Sequence, residues 1–398
     1  MKIGIVSLMN INALSELFPD ENSKEVLKLN ARNLVATAVH TLIKSLVSEG
    51  HFVRVFTLSK NNFYLKGKGI ELYGIEFYDG YPIKYLWGDF IDSKRIRRQL
   101  KNNISDLDVI HAHWTYTFAF ASKFYTTQIP VFCTVRDWAT YIWKIESTKN
   151  KITWSFRCIL NELVLNNKKV NFIANSPYTA ARIEKKYGIK VPIIPNPINQ
   201  SFLRYDKTTI PENLEIICIS SSNDKRKNVR TLLLAFQQLL IKYPHAHLSL
   251  IGEPFTKESE SMQLWEKEGM LKKVSLVGLV NHSELQKYLD KARVFVSPSL
   301  EETFGNTLLE SMARKIPIVA GISSGAIPYV LQHGELGYLC DVSNPNNIYK
   351  TIEYVYLNPE KVEKITEVAF DVLNSKYLDK KITEKHIELY KSVLDNRK

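Results

Sequence analysis

The amino-acid sequence predicts an α/β protein of two domains, and three observations predict it. The chain has 398 residues, more than one ordinary core needs and enough for two domains of about 150–200 residues each. Short apolar runs rich in β-branched residues alternate with stretches whose apolar residues recur every three to four positions, the pattern of strands and helices that build parallel sheets. Arg293 to Ala320 shows the unit complete. Val294-Phe295-Val296 reads as a strand stopped at Ser297-Pro298-Ser299, Leu308, Leu309 and Met312 as one face of a helix headed by the capping-type residues Asn306 and Thr307 and ended by Pro317, and Ile318-Val319-Ala320 as the next buried strand.

Composition narrows the class. Hydrophobic residues are 45% and charged residues 24% of the chain, a soluble globular balance. No apolar run approaches the roughly 18–20 residues that cross a bilayer, and Met1 to Val6 is too short and strand-like for a signal peptide, so a cytoplasmic protein is expected. Cys133, Cys158, Cys218 and Cys340 form no C-x-x-C pair and read as reduced thiols. The formal net charge of +12 favours a polyanionic partner or the negatively charged face of a membrane. Basic residues are scattered and no RNA- or DNA-binding motif is present, so nucleic acid is not an expected partner.

In chain order, Lys2 to Ser7 is a strand, Asn30 to Glu49 a helix carrying Leu34, Ala38, Leu42 and Leu46, and Phe52 to Leu58 the next strand. No G-x-G-x-x-G follows the first strand, which argues against a nicotinamide enzyme. Gly69 to Lys84 reads as short strands or loop. Ser93 to Lys101 carries Lys94, Arg95, Arg97, Arg98 and Lys101 without an acid, either a face for anionic lipid or a solvated basic helix. Asp108 to Trp114 is a strand that puts His111 and His113 on one face. No further ligands at metal-binding spacing follow, so these histidines and Trp114 are candidates for the acceptor side of a cleft, and no metal is expected. Val131 to Val135 is a strand with Arg136 and Asp137 at its carboxyl end, where open α/β sheets place ligands. A guanidinium there can grip a phosphate and a carboxylate can anchor a sugar hydroxyl, or the two can simply pair with each other. Phe172 to Pro177 and the helix to Tyr187 follow, then the loop Pro192 to Asn199.

The second half opens with the strand Leu214 to Ile219, the loop Ser220 to Lys227 and the helix Val229 to Leu240. Leu248 to Glu253 and Val274 to Gly278 are strands ending at glycine. The helix entered through Phe304-Gly305-Asn306-Thr307 presents unpaired N–H groups and a glycine that admits an anion to the backbone. Glu302 and Glu310 flank that start. A diphosphate between two sugars fits the layout, although either glutamate can equally be a solvated surface residue.

The run E-x-F-G-x-x-x-L-E from Glu302 to Glu310, with S-M-A-x-x-x-P-I-V-A after it, resembles the signature of glycosyltransferase family 4. The resemblance implies the GT-B fold, two Rossmann-like domains facing across an interdomain cleft. It divides the chain into an acceptor-binding domain 1–199, a linker 200–213, a nucleotide-sugar-binding domain 214–375 and a C-terminal helix 376–398 that crosses back. It implies a retaining, metal-independent hexosyl transfer from a UDP- or GDP-linked sugar, with no cofactor, to a glycan or lipid-linked acceptor of bacterial surface polysaccharide synthesis. Glu302 would lie near the transferred sugar, Glu310 would bind ribose, and Phe304, Gly305, Asn306 and Thr307 would face the phosphates. Lys227-Asn228 matches the lysine that holds the diphosphate, whereas Ser222 falls where the family has arginine, with Lys225 or Arg226 nearby. Gly252 and Val280 would belong to the base-binding wall. D-V-I-H-A-H-W and, from Pro192 to Asn199, P-I-I-P-N-P-I-N resemble family stretches, but Arg136 replaces the usual histidine, Met9 to Lys28 lacks the usual Gly-Gly pair, and Tyr329 replaces a glutamate. A catalytically inactive nucleotide-sugar-binding protein is the alternative that these departures leave open.

Overall fold

The computed structural model describes residues 1–31, 36–146, 148–204 and 212–397. Part of the expected first helix, 32–35, and half of the expected linker, 205–211, lie outside the described residues, as does residue 398 at the end of the expected last helix. The chain divides into two compact units, Met1–Pro197 with Asp379–Lys398, and Ile198–Leu378.

Unit 1 holds β1 (Lys2–Val6), β2 (Phe52–Ser59), β3 (Phe63–Gly67), β4 (Ile70–Glu76), β5 (Val109–His113), β6 (Val131–Val135) and β7 (Asn171–Ala174). They form one sheet in the order β3-β4-β2-β1-β5-β6-β7, parallel except for the β3–β4 hairpin. Alternation along each strand separates two cores. Ile3, Ile5, Val109 and Phe132 face one side, and Val6, Ile110, Ala112 and Cys133 the other.

Unit 2 holds β8 (Glu215–Ile219), β9 (His247–Ile251), β10 (Val274–Gly278), β11 (Val294–Ser297), β12 (Ile318–Gly321) and β13 (Tyr338–Cys340). All pair in parallel in the order β10-β9-β8-β11-β12-β13. Ile217 and Phe295 pack toward one core and Ile216, Cys218, Val294 and Val296 toward the other. Numbered within the unit, this order is 3-2-1-4-5-6, the doubly wound Rossmann arrangement. Unit 1 repeats it with β4 as its third strand. In such a sheet the strand order reverses between the first and fourth strands, here β1/β5 and β8/β11, and ligands bind outside the carboxyl ends at that point.

Several elements differ from expectation for local reasons. The stretch before the first long helix is itself helical, with a 3₁₀ turn Ile11–Leu17 and a helix Glu21–Asn30. The Asp20 carboxylate caps the latter by accepting the Ser23 N–H at 2.8 Å. Within the expected helix Asn30 to Glu49, Thr37–Ser48 is helical among the described residues. The basic run Lys94 to Lys101 lies within one helix, Lys84–Asn103. The expected last helix, 376–398, runs from Asp379 to Asp395, and a separate helix, Pro359–Lys376, precedes it.

The helix Asp379–Asp395 seals one face of the unit 1 sheet with Ile382, Ile387 and Tyr390, and the Tyr390 hydroxyl meets His111 Nδ1 at 2.6 Å. A phenylalanine at position 390 keeps the ring and leaves a buried nitrogen without that partner. Tyr390→Phe is expected to lower unit 1 stability by about 1–3 kcal/mol, read as a drop in urea midpoint with little change in the denaturant slope.

Candidate active site

β8 and β11 lie side by side, with Ile216 opposite Val294 and Ile217 opposite Phe295, so the loops after them leave the same edge together. The two loops are tied to each other. Leu300 N–H donates to the Arg226 carbonyl at 2.7 Å, and Asn228 Nδ2 donates to the carbonyls of Pro298 at 3.1 Å and Val342 at 2.8 Å. Asn228 stands at the head of the helix Val229–Lys242 with φ 55°, a conformation that asparagine tolerates better than most residues.

This tie sets the charges face to face. Lys227 Nζ lies 2.5 Å from Glu302 Oε1, and Arg226 Nη1 lies 3.9 Å from Glu302 Oε2. Asp224 steadies both cations' segment, accepting the Lys227 N–H at 3.1 Å and lying 3.5 Å from Arg226 Nη2. Burial alone would raise the Glu302 pKa. The charges of Lys227 and Arg226, with hydrogen bonds from Lys227 and Ser299, outweigh it and hold the carboxyl below its usual range. Glu302 is therefore an anion at neutral pH beside two cations.

The helix Asn306–Ala313 follows. Its N-cap is Gly305 at φ 90° with no capping side chain, which corrects the expectation that Asn306 and Thr307 cap it: they are the first residues of its first turn. The helix also stops at Ala313, before Pro317. Glycine at 305 leaves the backbone of the first turn open to an anion. Glu310, one turn further in, is buried, and desolvation pushes its pKa up to about 7. Phe304 is a correction: its ring is 1% exposed and packs edge-on to Tyr377 with centroids 6.0 Å apart, so it belongs to the core and only its backbone remains for a ligand. The Ser222 hydroxyl donates to Asp224 Oδ2 at 2.9 Å. Arg226, one of the two basic residues expected near Ser222, stands beside Glu302. Gly252 ends β9 at φ 142°, and a Cβ there would stand 1.7 Å from the Ser220 carbonyl oxygen. Val280, beyond β10, packs half-buried against the same core as Phe304.

In unit 1 the residues expected at the carboxyl ends of β5 and β6 do come together. Arg136 Nε donates to His113 Nδ1 at 3.1 Å and Nη1 to Asn196 Oδ1 at 2.8 Å, and the guanidinium lies 5.9 Å from the Trp114 ring centroid. Asp137 Oδ2 accepts the Tyr116 hydroxyl at 2.8 Å. His111 and His113 are both 0% exposed, which corrects the expectation that they meet an acceptor. His111 is held between Thr134 Oγ1 at 2.8 Å and Tyr390, while His113 supports Arg136. Burial first, then neighbouring cations and imidazoles, drives both pKa values well down, so both rings are neutral. Trp114 has φ 66°, a strained conformation for a bulky residue, and such strain clusters at ligand sites. Sequence reasoning missed Asn196, Asp224 and the backbone of Trp114. The sequence signals for Asn196 are its place in the stretch that resembles the family and its position between Pro195 and Pro197, which holds it extended.

The model for glycosyl transferases group 1 matches residues 204–371, and that for glycosyltransferase family 4 matches residues 35–202. The chain belongs to the group 1, family 4 glycosyltransferases. It is 25% identical over 245 residues to N-acetyl-alpha-D-glucosaminyl L-malate synthase of Bacillus anthracis, covering 60% of this chain and 58% of that protein. It is 25% identical over 305 residues to alpha-monoglucosyldiacylglycerol synthase of Streptococcus pneumoniae, covering 72% of this chain and 67% of that one. The chain thus spans 58% and 67% of the lengths of these relatives. The structure of HepE of Anabaena, solved with UDP and glucose, is similar at a TM-score of 0.71 with 15% identity, covering 98% of this chain and 100% of that chain. The fold is that of the GT-B glycosyltransferases, two Rossmann-like domains.

Two outcomes test this glycosyltransferase's geometry. Gly252→Ala is expected to destabilise unit 2 by about 3 kcal/mol, because the methyl group meets a backbone oxygen in a conformation that alanine resists; chemical denaturation measures it. Glu310 binds its proton more tightly folded than unfolded. Its stabilising contribution is therefore present below about 4.5 and lost as pH rises through about 7. Glu310→Gln should remove that slope, leaving the variant more stable than the wild type at pH 8.

Proposed function

We propose that this chain is a retaining transferase that moves a hexose from a nucleotide diphosphate sugar, UDP-linked before GDP-linked, to a hydroxyl of a lipid-linked or glycan acceptor in bacterial glycolipid or polysaccharide synthesis. The observation that carries the reading is the Lys227–Glu302 pair at 2.5 Å, set at the switch point of the unit 2 sheet beside the open helix start at Gly305. Lys227 and Arg226 stabilise negative charge gathering on the departing diphosphate, worth about 10²–10³ in rate for one well-placed donor. Neutralisation by side chains and helix amides makes the reaction metal-independent in this reading. Glu302 leaves its ion pair to orient the transferred sugar, and ionised Glu310 accepts hydrogen bonds from the ribose hydroxyls. The bond from the anomeric carbon to the diphosphate oxygen breaks, the bond to the acceptor oxygen forms on the same face, and the acceptor proton passes to the departing diphosphate.

Unit 2 is the donor domain and unit 1 the acceptor domain in this proposal. The strained Trp114 and the guanidinium braced by His113 and Asn196 support a ligand role for the edge at β5 and β6, with Asp137 as a hydroxyl anchor. UDP is placed first because the Anabaena relative was solved with it, and a lipid acceptor because the Streptococcus pneumoniae relative is named for a glucosyldiacylglycerol. Among the described residues no helix is long and apolar enough to cross a membrane. The proposed place of work is the cytoplasmic face of an anionic membrane.

Thermal-shift titration against UDP-, GDP- and ADP-sugars tests the donor site, since a ligand at about 100 times its Kd stabilises the native state by about 2.7 kcal/mol. UDP-sugar is expected to raise the midpoint, and the shift should shrink in Glu310→Ala and weaken as pH falls below about 7, where Glu310 takes up its proton. Absence of any nucleotide response overturns the reading. Donor binding with neither transfer nor hydrolysis would leave the inactive sugar-nucleotide binder. Lys227→Ala is expected to lower kcat by about 10²–10³, read in a product assay.

A further inference from the structure

Apart from the residues above, unit 1 carries a row of aromatic rings with cations laid over it. On the helix Lys84–Asn103, Trp87, Phe90, Lys94, Arg97 and Lys101 follow at alternating steps of three and four and so share one face. The residues this helix buries, Gly88, Asp92, Ser93, Ile96 and Leu100, lie on the opposite side. The row begins at Phe156, 5.2 Å from the Trp87 ring, and runs to Phe90 at 6.0 Å, Phe120 at 6.1 Å and Phe124 at 5.5 Å. Lys94 Nζ stands 4.6 Å from the Phe90 centroid, Lys123 Nζ 4.4 Å from Phe120, and the Arg97 guanidinium 4.0 Å from Phe124.

The charge on this face has one sign. Asp89 and Asp92 are the helix's acids, and both are engaged inward. Asp89 accepts Arg157 Nε at 2.8 Å and the Thr117 hydroxyl at 2.6 Å, and Asp92 accepts the Tyr78 N–H at 2.7 Å. Lys94, Arg97 and Arg98 point to solvent. At the amino-terminal end of the same helix the surface is apolar, with Tyr81 78%, Ile83 46%, Leu86 40% and Trp87 47% exposed.

We propose that this face of unit 1 rests on an anionic lipid bilayer. Trp87 and its apolar neighbours sit at the headgroup boundary, where amphipathic aromatic rings are favoured, and Lys94, Arg97 and Lys101 lie on lipid phosphates. Exposed apolar residues grading into a one-signed basic stripe along one helix is the layout of a helix lying in the plane of a membrane surface. Single-stranded nucleic acid fits less well, because it stacks bases on open aromatic faces and here cations cover the rings of Phe90, Phe120 and Phe124. The surface deepens the proposed function only in making the acceptor lipid-linked. Vesicle binding is measured without donor or acceptor, so either reading can fail alone.

The test is co-sedimentation of the full chain with vesicles of phosphatidylcholine alone or with 30% phosphatidylglycerol, at about 50 and 500 mM salt. Capture by the anionic vesicles, lost at high salt, is expected. Each basic residue near the surface contributes roughly fivefold in affinity, so Lys94→Glu with Arg97→Glu should weaken binding by roughly 25-fold or more. Trp87→Ser should weaken capture severalfold at the lower salt concentration, and an unchanged UDP-sugar thermal shift would show that both variants fold. No capture by anionic vesicles overturns the proposal, and so does equal capture of wild type and both variants. Binding of a random oligonucleotide as tight as that of vesicles, with Trp87→Ser harmless to vesicle binding, would reduce the face to a generic basic patch and likewise overturn it.

Discussion

In a parallel sheet every strand delivers its carboxyl end to the same edge, and where the winding reverses two of those ends stand next to each other with no helix between them. β8 and β11 are that pair in unit 2. Their adjacency brings Lys227, from one loop, to Glu302, 75 residues later, and the backbone tie from Leu300 to Arg226 keeps them there. The open helix start at Gly305, the buried Glu310 and the glycine under Ser220 are all set out from this one juxtaposition.

The two glutamates show how placement divides identical chemistry. Glu302 and Glu310 are both withdrawn from water, yet cations within ion-pair reach keep one below the usual carboxylate range, while burial alone raises the other to about 7. Breaking a buried pair by removing one partner leaves an uncompensated charge, which is strongly unfavourable. Glu302 and Lys227 therefore stabilise each other as a pair. For Glu310, desolvation is the cause of the shift.

Unit 1 uses the same winding with a different result. Arg136 at the end of β6 is braced by His113 from β5 and by Asn196 from the loop after the last strand, so three segments converge on one guanidinium. The covering helix Asp379–Asp395 explains why His111 is not part of that group's surface. Tyr390 closes over it, and burial keeps the imidazole neutral. A strand can present alternate residues to one face, but only what packs on that face decides whether they meet ligand or core.

By itself the sequence determined the class of the fold. Apolar periodicity, proline and glycine stops and capping residues are local, and they marked most of the strands and the unit from Arg293 to Ala320. It also marked Arg136 at the carboxyl end of a strand, where a charge interrupts an apolar run, and Lys227 and Glu302 through the motifs that resemble the family. It misjudged Phe304, His111 and His113, whose residue types suit either a site or a core. Only the tertiary structure decided those, because burial, pairing across 75 residues and the φ of 66° at Trp114 arise from strand order and packing, which no local spacing encodes.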